Sequence, residues 1–157
     1  MSDRILLVDD HEVILEGIRA LVERSGKDWE VCGVARNGGE AVEMARALDP
    51  DVVVLDISMP VMNGIDAAKA ILKANKTSKI LLFTMHDSER MVKEAQGAGA
   101  RGYVIKSQAA RNLVRAIEAV LAGKTFFGAV AEPDASQNKP NKKKTGDGPK
   151  YFTLICA

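Results

Sequence analysis

Four short apolar runs in this chain each end at a polar side chain, and this arrangement limits the folds that the chain can adopt. The runs cover residues 5–8, 52–55, 80–83 and 103–105, and the polar residues that follow them are Asp9 with Asp10, Asp56, Thr84 and Lys106. If the runs are neighbouring parallel strands, their carboxyl ends lie along one edge of a sheet. The pattern therefore predicts a crevice in which three carboxylates, a hydroxyl group and an ammonium group converge.

The spacing of apolar residues between these runs is helical. Ile14, Ile18, Leu21 and Val22 follow the i, i+4, i+7, i+8 pattern of one helix face, and residues 113–121 repeat it. With a further strand at residues 30–35, five strands alternate with five helices, which requires right-handed crossovers and a parallel sheet with helices on both faces. We expect a doubly wound α/β fold, (βα)5, with the flavodoxin-like strand order 2-1-3-4-5 and a ligand crevice between strands one and three.

Capping residues indicate where several helices begin and end. Asn37 and Ser88 are suitable N-caps for the second and fourth helices. Asp49 and Pro50 should end the second helix, because a residue before proline is driven out of helical geometry. The fourth helix has the thinnest apolar face, so we expect it to be the most loosely held element.

Composition excludes several classes of protein. A chain of 157 residues, 46% of them hydrophobic, suits one domain, and 22 basic residues against 21 acidic ones leave no overall field for nucleic acid or an anionic membrane. No apolar stretch is long enough to cross a bilayer or to form a signal-peptide core, which predicts a cytoplasmic protein. Cys32 and Cys156 are far apart and lack metal-ligand spacing, so a reducing compartment without a disulfide is expected.

The composition changes near residue 128. Residues 129–157 contain three of the five prolines, a run of three lysines at 142–144 and a short apolar terminus at 151–156. We expect residues 1–128 to form the domain and residues 129–157 to form a low-complexity basic tail, whose apolar end could add to a sheet edge or a partner. No pair of helical patterns follows residue 127, so direct sequence-specific DNA binding is not expected.

The acids of the predicted crevice indicate a metal site. Carboxylates held a few ångströms apart repel, so either one stays protonated or a divalent cation neutralises them. Mg²⁺, or Mn²⁺ in its place, is the expected ion, because it takes carboxylate and carbonyl oxygens and leaves a position for a phosphate oxygen. We expect Asp10, Asp56 and the backbone carbonyl of Ser58 to be direct ligands, and Asp9 to act directly or through water.

Asp56 is also a candidate phosphoryl acceptor. Carboxylates serve as nucleophiles toward phosphorus, and such transfers depend mainly on positioning and on stabilisation of charge. Lys106 would offer a positive charge to the transferred group, and Thr84 would offer a hydroxyl donor. The residues thus predict phosphoryl transfer to a carboxylate beside a divalent cation.

The segments that carry this chemistry resemble one known family. They are Leu-Leu-Val-Asp-Asp-His at 6–11, Val-Leu-Asp-Ile-Ser-Met-Pro-Val-Met-Asn-Gly at 54–64, Thr84, and Gly-Ala-Arg-Gly-Tyr-Val-Ile-Lys at 99–106. In this order and spacing, residues 3–128 resemble the receiver domain of bacterial two-component response regulators, which has the CheY-like fold. Segments 9–11, 84–87 and 123–127 resemble its NarL/FixJ branch, whose members usually append a helix-turn-helix DNA-binding domain.

The resemblance implies a signalling role. Asp56 would accept a phosphoryl group from a histidine kinase, a phosphotransfer protein or a small acyl phosphate in a Mg²⁺-dependent step. Thr84 would then draw toward that group and Tyr103 would turn inward, changing the surface of the fourth helix and fifth strand. The chain would be the receiver part of a transcriptional regulator or a stand-alone receiver, able to form a homodimer. It would be no enzyme beyond its own phosphorylation and dephosphorylation.

Two departures from the family pattern stand out. Ser107 follows Lys106 where many receivers have proline, so a trans peptide is expected there. The second departure is the lack of a recognisable output domain after residue 127.

The same residues also fit simpler roles and other functions. Asp10 could cap the first helix, and Tyr103 could be an ordinary half-buried strand residue. His11 and His86 could suggest metal ligands, but no third nitrogen or sulfur ligand accompanies them, so they are expected to be exposed loop residues at the rim of the crevice. A phosphatase of the haloacid-dehalogenase type would resemble this site, but its second acid is replaced by Ser58. A flavin or nucleotide binder would need a phosphate-binding loop after the first strand, where acids stand instead.

Overall fold

The computed structural model describes residues 2–85 and 88–127. Its strands are β1 (Asp3–Val8), β2 (Trp29–Ala35), β3 (Val52–Asp56), β4 (Lys79–Thr84), β5 (Gly102–Ile105) and β6 (Phe126–Phe127). Its helices are α1 (Glu12–Arg24), α2 (Gly38–Leu48), α3 (Gly64–Ala74), α4 (Glu89–Gly97) and α5 (Ala109–Leu121), with a 3₁₀ turn at Lys106–Gln108 before α5. The alternation of strands and helices predicted from the periodicity is confirmed.

The strands form a single parallel sheet in the order β2-β1-β3-β4-β5-β6. The predicted order 2-1-3-4-5 is confirmed, but the expected number of strands was wrong, because β6 adds to β5 at the edge. This strand has only two residues and no periodicity of its own. It forms because Gly123, with a φ of 86°, turns the chain back after α5 and brings Phe126 beside Gly102.

Alternating strand residues face two separate cores, one on each side of the sheet. Leu6, Val53 and Leu82 point toward the core that α2, α3 and α4 cover. Their chain neighbours, such as Leu7 and Val54, point toward the core that α1 and α5 cover. Strands that are buried on both faces read as continuous apolar runs, which is why the four runs were recognisable in the sequence.

The predicted caps are present. The side chain of Asn37 accepts a hydrogen bond from the backbone N–H of Glu40, and that of Ser88 accepts one from Met91. Asp49 ends α2 in the left-handed conformation, with a φ of 48° directly before Pro50. Asn63 caps α3 in the same manner, which the sequence reasoning did not single out.

In α1 the buried face is rotated slightly from the expected stripe, since Leu15, Ile18 and Val22 are buried while Ile14 and Leu21 are half-buried. In α3 the fully buried face is centred on Ala67, Ala68 and Ile71, whereas Ile65 and Leu72 are half-buried. Small alanines face the sheet because they let the helix backbone approach it, a preference that periodicity alone does not reveal. The thin face expected for α4 is confirmed, since Ala95 is the one buried residue within its span.

Several expectations concern residues that the structure does not describe. The tail at 129–157, including its lysine run and apolar terminus, lies outside the described residues, as do Cys156 and His86. Cys32 lies in β2 as a half-buried free thiol. Within the described ranges, no helix has the length and apolar character needed to cross a membrane.

Candidate functional site

The carboxyl ends of β1, β3, β4 and β5 bring the four predicted polar positions to one edge of the sheet. Val8 pairs with Leu55, so Asp9 and Asp56 emerge side by side, and Thr84 pairs with Ile105 directly before Lys106. Asp9, Asp56 and Thr84 are 0%, 2% and 1% exposed. The predicted convergence is therefore present, and its acids lie deeper than a surface cluster would.

Lys106 bridges the two buried acids. Its Nζ lies 2.7 Å from Oδ2 of Asp9 and 3.3 Å from Oδ1 of Asp56, and its side chain is 8% exposed. The same nitrogen lies 5.7 Å from the ring centroid of Phe83. No cis peptide occurs among the described residues, so the bond to Ser107 is trans, as expected. The lysine is thus held over the crevice without the proline.

The surroundings of the Asp56 carboxylate disfavour its negative charge, and its hydrogen-bond and ion-pair partners offset this only in part. Burial, and next the nearby charge of Asp9, raise the pKa of the Asp56 carboxyl, while Lys106 and the Ser58 backbone N–H, 3.4 Å from Oδ1, act in the opposite direction. Its Oδ2 is buried without a hydrogen-bond partner in the described part of the chain. A buried carboxylate oxygen in this state favours an incoming cation or electrophile.

This raised pKa gives a testable effect on stability. A carboxyl whose folded pKa exceeds its unfolded pKa contributes stability below the unfolded value and loses it as the pH rises through the folded value. Without divalent ions at neutral pH, Asp56→Asn should therefore raise the melting temperature. A gain of about 1 kcal/mol in unfolding free energy corresponds to a rise of roughly 2–6 °C. The difference should vanish at a pH below ordinary carboxyl pKa values. Thermal unfolding followed by circular dichroism across this pH range would check it, and a lower melting temperature at neutral pH would contradict it.

His11 makes contacts that the sequence reasoning did not foresee. Its Nδ1 lies 2.9 Å from Oδ1 of Asp9 and 3.1 Å from Oδ1 of Asp10, and its backbone N–H donates to the same Asp9 oxygen at 2.9 Å. The hydrogen bond to Asp9, followed by the charges of Asp10 and Asp9, raises the pKa of the His11 imidazole. The Asp-x-His spacing at a strand end was the available signal, because aspartate often bonds the backbone N–H two residues later.

His11 is at the rim, as expected, with 58% of its side chain exposed. It is also the N-cap of α1, although its side chain does not cap the helix. The alternative in which Asp10 caps α1 was therefore wrong, because the helix begins one residue later than that role requires. Asp10 instead lies about one-third exposed beside His11.

One carboxylate or imidazole atom from each of Asp9, Asp10, His11 and Asp56 lies within 4.8 Å of the others. Asp10 and Ser58 also line a cleft of about 670 Å³ that continues between α3 and α4. The donor set of carboxylate oxygens, together with the unpartnered Oδ2 of Asp56, fits a divalent cation.

The backbone after Asp56 is held by a close approach at Gly64. The N–H of Gly64 donates to the carbonyl oxygen of Ile57 at 2.8 Å. A Cβ at this position would lie 2.2 Å from the carbonyl oxygen of Asp56 and 2.7 Å from Cα of Ile57. Only glycine fits there, so the start of α3 is packed directly against the strand end that presents Asp56.

Tyr103 is buried, with 1% exposure, and packs in the core under α2, α3 and α4. The interpretation of Tyr103 as an ordinary half-buried strand residue was therefore wrong. Its ring faces the layer that contains α4, the helix with the smallest buried face. Thr84, at the end of β4, is buried on the same edge as Asp56.

Comparisons with known proteins agree on one family. Residues 5–118 match the family model described as response regulator receiver domain. The chain is 39% identical over 120 residues to the chemotaxis protein CheY of Thermotoga maritima, covering 76% of this chain and 98% of that protein. It is 33% identical over 129 residues to the nitrate/nitrite response regulator protein NarL of Escherichia coli K12, covering 82% of this chain and 59% of NarL.

Solved structures give the same result. A two-component response regulator of the LuxR family from Aurantimonas sp. SI85-9A1 is 42% identical, with a TM-score of 0.77, over 80% of this chain and 89% of that one. The chain spans about three fifths of the length of the transcriptional regulators that it matches.

Proposed function

The chain belongs to the response regulator receiver domain family, and on that premise we propose that Asp56 is the residue on which it accepts a phosphoryl group. The observation that carries this proposal is the Oδ2 atom of Asp56, buried at the strand end without a hydrogen-bond partner in the described residues. The neighbouring Oδ1 already faces Lys106. One oxygen of the carboxylate is thus held by charge while the other is left for reaction.

A divalent cation belongs to this proposal, and Mg²⁺, or Mn²⁺ in its place, suits an all-oxygen donor set. Asp10, Asp56 and the backbone carbonyl of Ser58 would hold it, with Asp9 binding directly or through water. When bound, the ion neutralises the carboxylates and the phosphoryl oxygens during transfer. The 670 Å³ cleft lined by Asp10 and Ser58 leaves room for a phosphoryl donor to approach.

In the transfer step, an oxygen of the Asp56 carboxylate forms a bond to phosphorus while the bond between phosphorus and the donor breaks. The donor is a phosphohistidine of a kinase or phosphotransfer protein, or a small acyl phosphate, and it leaves with the bonding electron pair. Lys106, already 3.3 Å from Asp56, stabilises charge on the transferred group. Thr84 supplies a hydroxyl donor from the end of the adjacent strand. Dephosphorylation returns the group to water.

The proposed response to phosphorylation is a change in the surface formed by α4 and β5. Thr84 would draw toward the phosphoryl group, and Tyr103, already buried under that layer, would keep the inward position. The single buried residue of α4 supports a low cost for moving this helix. A homodimer formed through the altered surface is part of the proposal.

We further propose that residues 1–128 are the receiver unit and that residues 129–157 are a low-complexity basic tail with a short apolar terminus. The module would act as the receiver part of a NarL/FixJ-type regulator or as a stand-alone receiver, and no specific DNA contact by these residues is proposed. The haloacid-dehalogenase alternative has no support, since the matches are receiver proteins and Ser58 stands where that chemistry needs an acid.

Acetyl phosphate provides the direct test. Incubation of the full chain with acetyl phosphate and Mg²⁺ should add one phosphoryl group, measured by intact mass, and chelation of the metal should prevent it. Hydroxylamine should remove the label, because it cleaves acyl phosphates and leaves phosphate esters of serine and threonine intact. A label that resists hydroxylamine, or one that forms equally well in chelator, would contradict the proposal.

Lys106→Ala should separate metal binding from switching. The change leaves Asp9 and Asp56 buried without their cation, so the metal-free protein should lose about 3 kcal/mol of unfolding free energy, and Mg²⁺ should restore much of it. Mg²⁺ affinity should stay largely intact, while phosphorylation no longer alters self-association. Calorimetric titration, thermal unfolding and sedimentation velocity would measure these effects.

Lys27→Ala is the matched control, because Lys27 pairs with Glu118 at an exposed position. Such a pair should contribute less than about 1 kcal/mol to the unfolding free energy. Loss of Mg²⁺ affinity in Lys106→Ala would mean that the lysine supports the metal site itself.

A further inference from the structure

His11 occupies a position in the site that phosphoryl transfer to Asp56 does not use. Its Nδ1 lies 2.9 Å from Oδ1 of Asp9 and 3.1 Å from Oδ1 of Asp10. As the N-cap of α1 it could have bonded a helix N–H, but its side chain makes no such bond. The ring is turned toward the acids, although more than half of its surface remains exposed to water.

We propose that His11 is a ligand for a borderline first-row transition ion, such as Co²⁺ or Zn²⁺, at this acid site. The ion would be held by Nδ1 of His11 and by carboxylate oxygens of Asp9, Asp10 and Asp56. The proposal rests on the acid site of the proposed function but adds a nitrogen ligand to it. His11 then determines which divalent ions the receiver accepts besides Mg²⁺.

The distances among the donors carry the first part of the argument. One ligand atom from each of the four residues lies within 4.8 Å of the others. Two atoms that each bind an ion at about 2.1 Å are at most about 4.2 Å apart, so a contraction of about half an ångström at the widest pair would suffice. The side chain of His11 is 58% exposed, which leaves its ring space to move by such a distance.

The second part comes from Asp56, independently of the contacts between His11 and the other two acids. Its side chain is 3% exposed, and its Oδ2 has no hydrogen-bond partner among the described residues. Lys106 neutralises only part of this cluster, because its contacts are with Asp9 Oδ2 and Asp56 Oδ1. An unpartnered buried carboxylate oxygen in a cluster that also contains an imidazole favours a cation that can use both donor types.

The chemistry of the donors makes His11 a specificity-determining residue. Mg²⁺ is a hard ion that prefers oxygen ligands, whereas imidazole raises affinity for the later first-row ions. Without metal, Nδ1 faces two carboxylate oxygens and therefore acts as an N–H donor. A transition ion would replace that proton, and the ring would carry its hydrogen on Nε2. Removal of the ring should therefore weaken Co²⁺ binding far more than Mg²⁺ binding.

Calorimetric titration of the full chain with Co²⁺ alone and with Mg²⁺ alone tests this at constant pH. The sequence contains two histidines, so the variants are His11→Gln, His11→Asn and, as the matched control, His86→Gln. Both His11 variants should lose at least about tenfold in the ratio of Co²⁺ to Mg²⁺ affinity, and His86→Gln should keep the wild-type ratio. The visible absorption of bound Co²⁺ should change in the His11 variants alone. Thermal unfolding would establish that each variant is folded.

An unchanged ratio in both His11 variants would overturn the proposal, because the ring would then act only through its charge or hydrogen bonds. Loss of Co²⁺ affinity in His86→Gln alone would overturn it as well. Acetyl phosphate labelling of the wild-type chain with Mg²⁺ is a separate measurement. Absence of labelling would contradict the proposed function, but the effect of His11 on the ratio of Co²⁺ to Mg²⁺ affinity could still be measured.

Discussion

Asp56→Asn is expected to abolish phosphorylation by acetyl phosphate, with no mass increase under conditions in which the wild-type chain is fully labelled. An amide oxygen carries no negative charge and is a poor nucleophile toward phosphorus, so the acceptor itself is lost. The change is nearly isosteric, which leaves the packing at the end of β3 intact. Intact mass after treatment with acetyl phosphate and Mg²⁺ would measure the result.

Asp3→Asn is the matched control for this experiment. Asp3 is the first residue of β1 and therefore lies at the amino ends of the strands, opposite the site. The identical chemical change there should leave labelling at the wild-type level. The stabilisation expected for metal-free Asp56→Asn would show that the variant is folded. Hydroxylamine-labile labelling that persists in Asp56→Asn would assign the acceptor to another carboxylate, Asp9 or Asp10 being the nearest.

Gly64→Ala should damage both the fold and the site. The added Cβ would meet the backbone of Asp56 and Ile57 at 2.2 and 2.7 Å, and neither contact is with a flexible side chain that could move aside. We expect a loss of about 1–3 kcal/mol in unfolding free energy, as for other overpacked positions. Because the displaced backbone carries Asp56, a shift of about 1 Å could slow phosphorylation about 100-fold. Chemical denaturation and the initial rate of acetyl phosphate labelling would measure the two effects.

Gly17→Ala is the control, since Gly17 lies in α1 and a Cβ there would meet nothing within 4 Å. That variant should gain roughly 0.5–1 kcal/mol in unfolding free energy, because alanine is the better helix former. It should be labelled by acetyl phosphate at the wild-type rate. A Gly64→Ala protein as stable and as rapidly labelled as Gly17→Ala would mean that the strand end adapts freely to α3. The inference that Asp56 is tightly coupled to the start of α3 would then be wrong.

The order of the elements was predictable because each one leaves a local pattern. Strands buried on both faces appear as apolar runs, and Asn37 and Ser88 cap helices through bonds that span three residues. The edge strand β6 was missed because its two residues contain no period, and it depends on a turn at Gly123 and on pairing with β5. Its existence is decided by contacts between segments that are distant in sequence.

The same division applies to the site. The residues themselves determined that Asp9, Asp10, Asp56, Thr84 and Lys106 would meet, because parallel strands place their carboxyl ends on one edge whatever the side chains do. Only the tertiary structure decided that Lys106 contacts Asp9 and Asp56 together, that His11 turns to the acids rather than to its helix, and that Gly64 lies against the strand end. These contacts depend on distances of a few ångströms between packed elements, and a periodic pattern specifies which face a residue occupies but not how closely two faces approach.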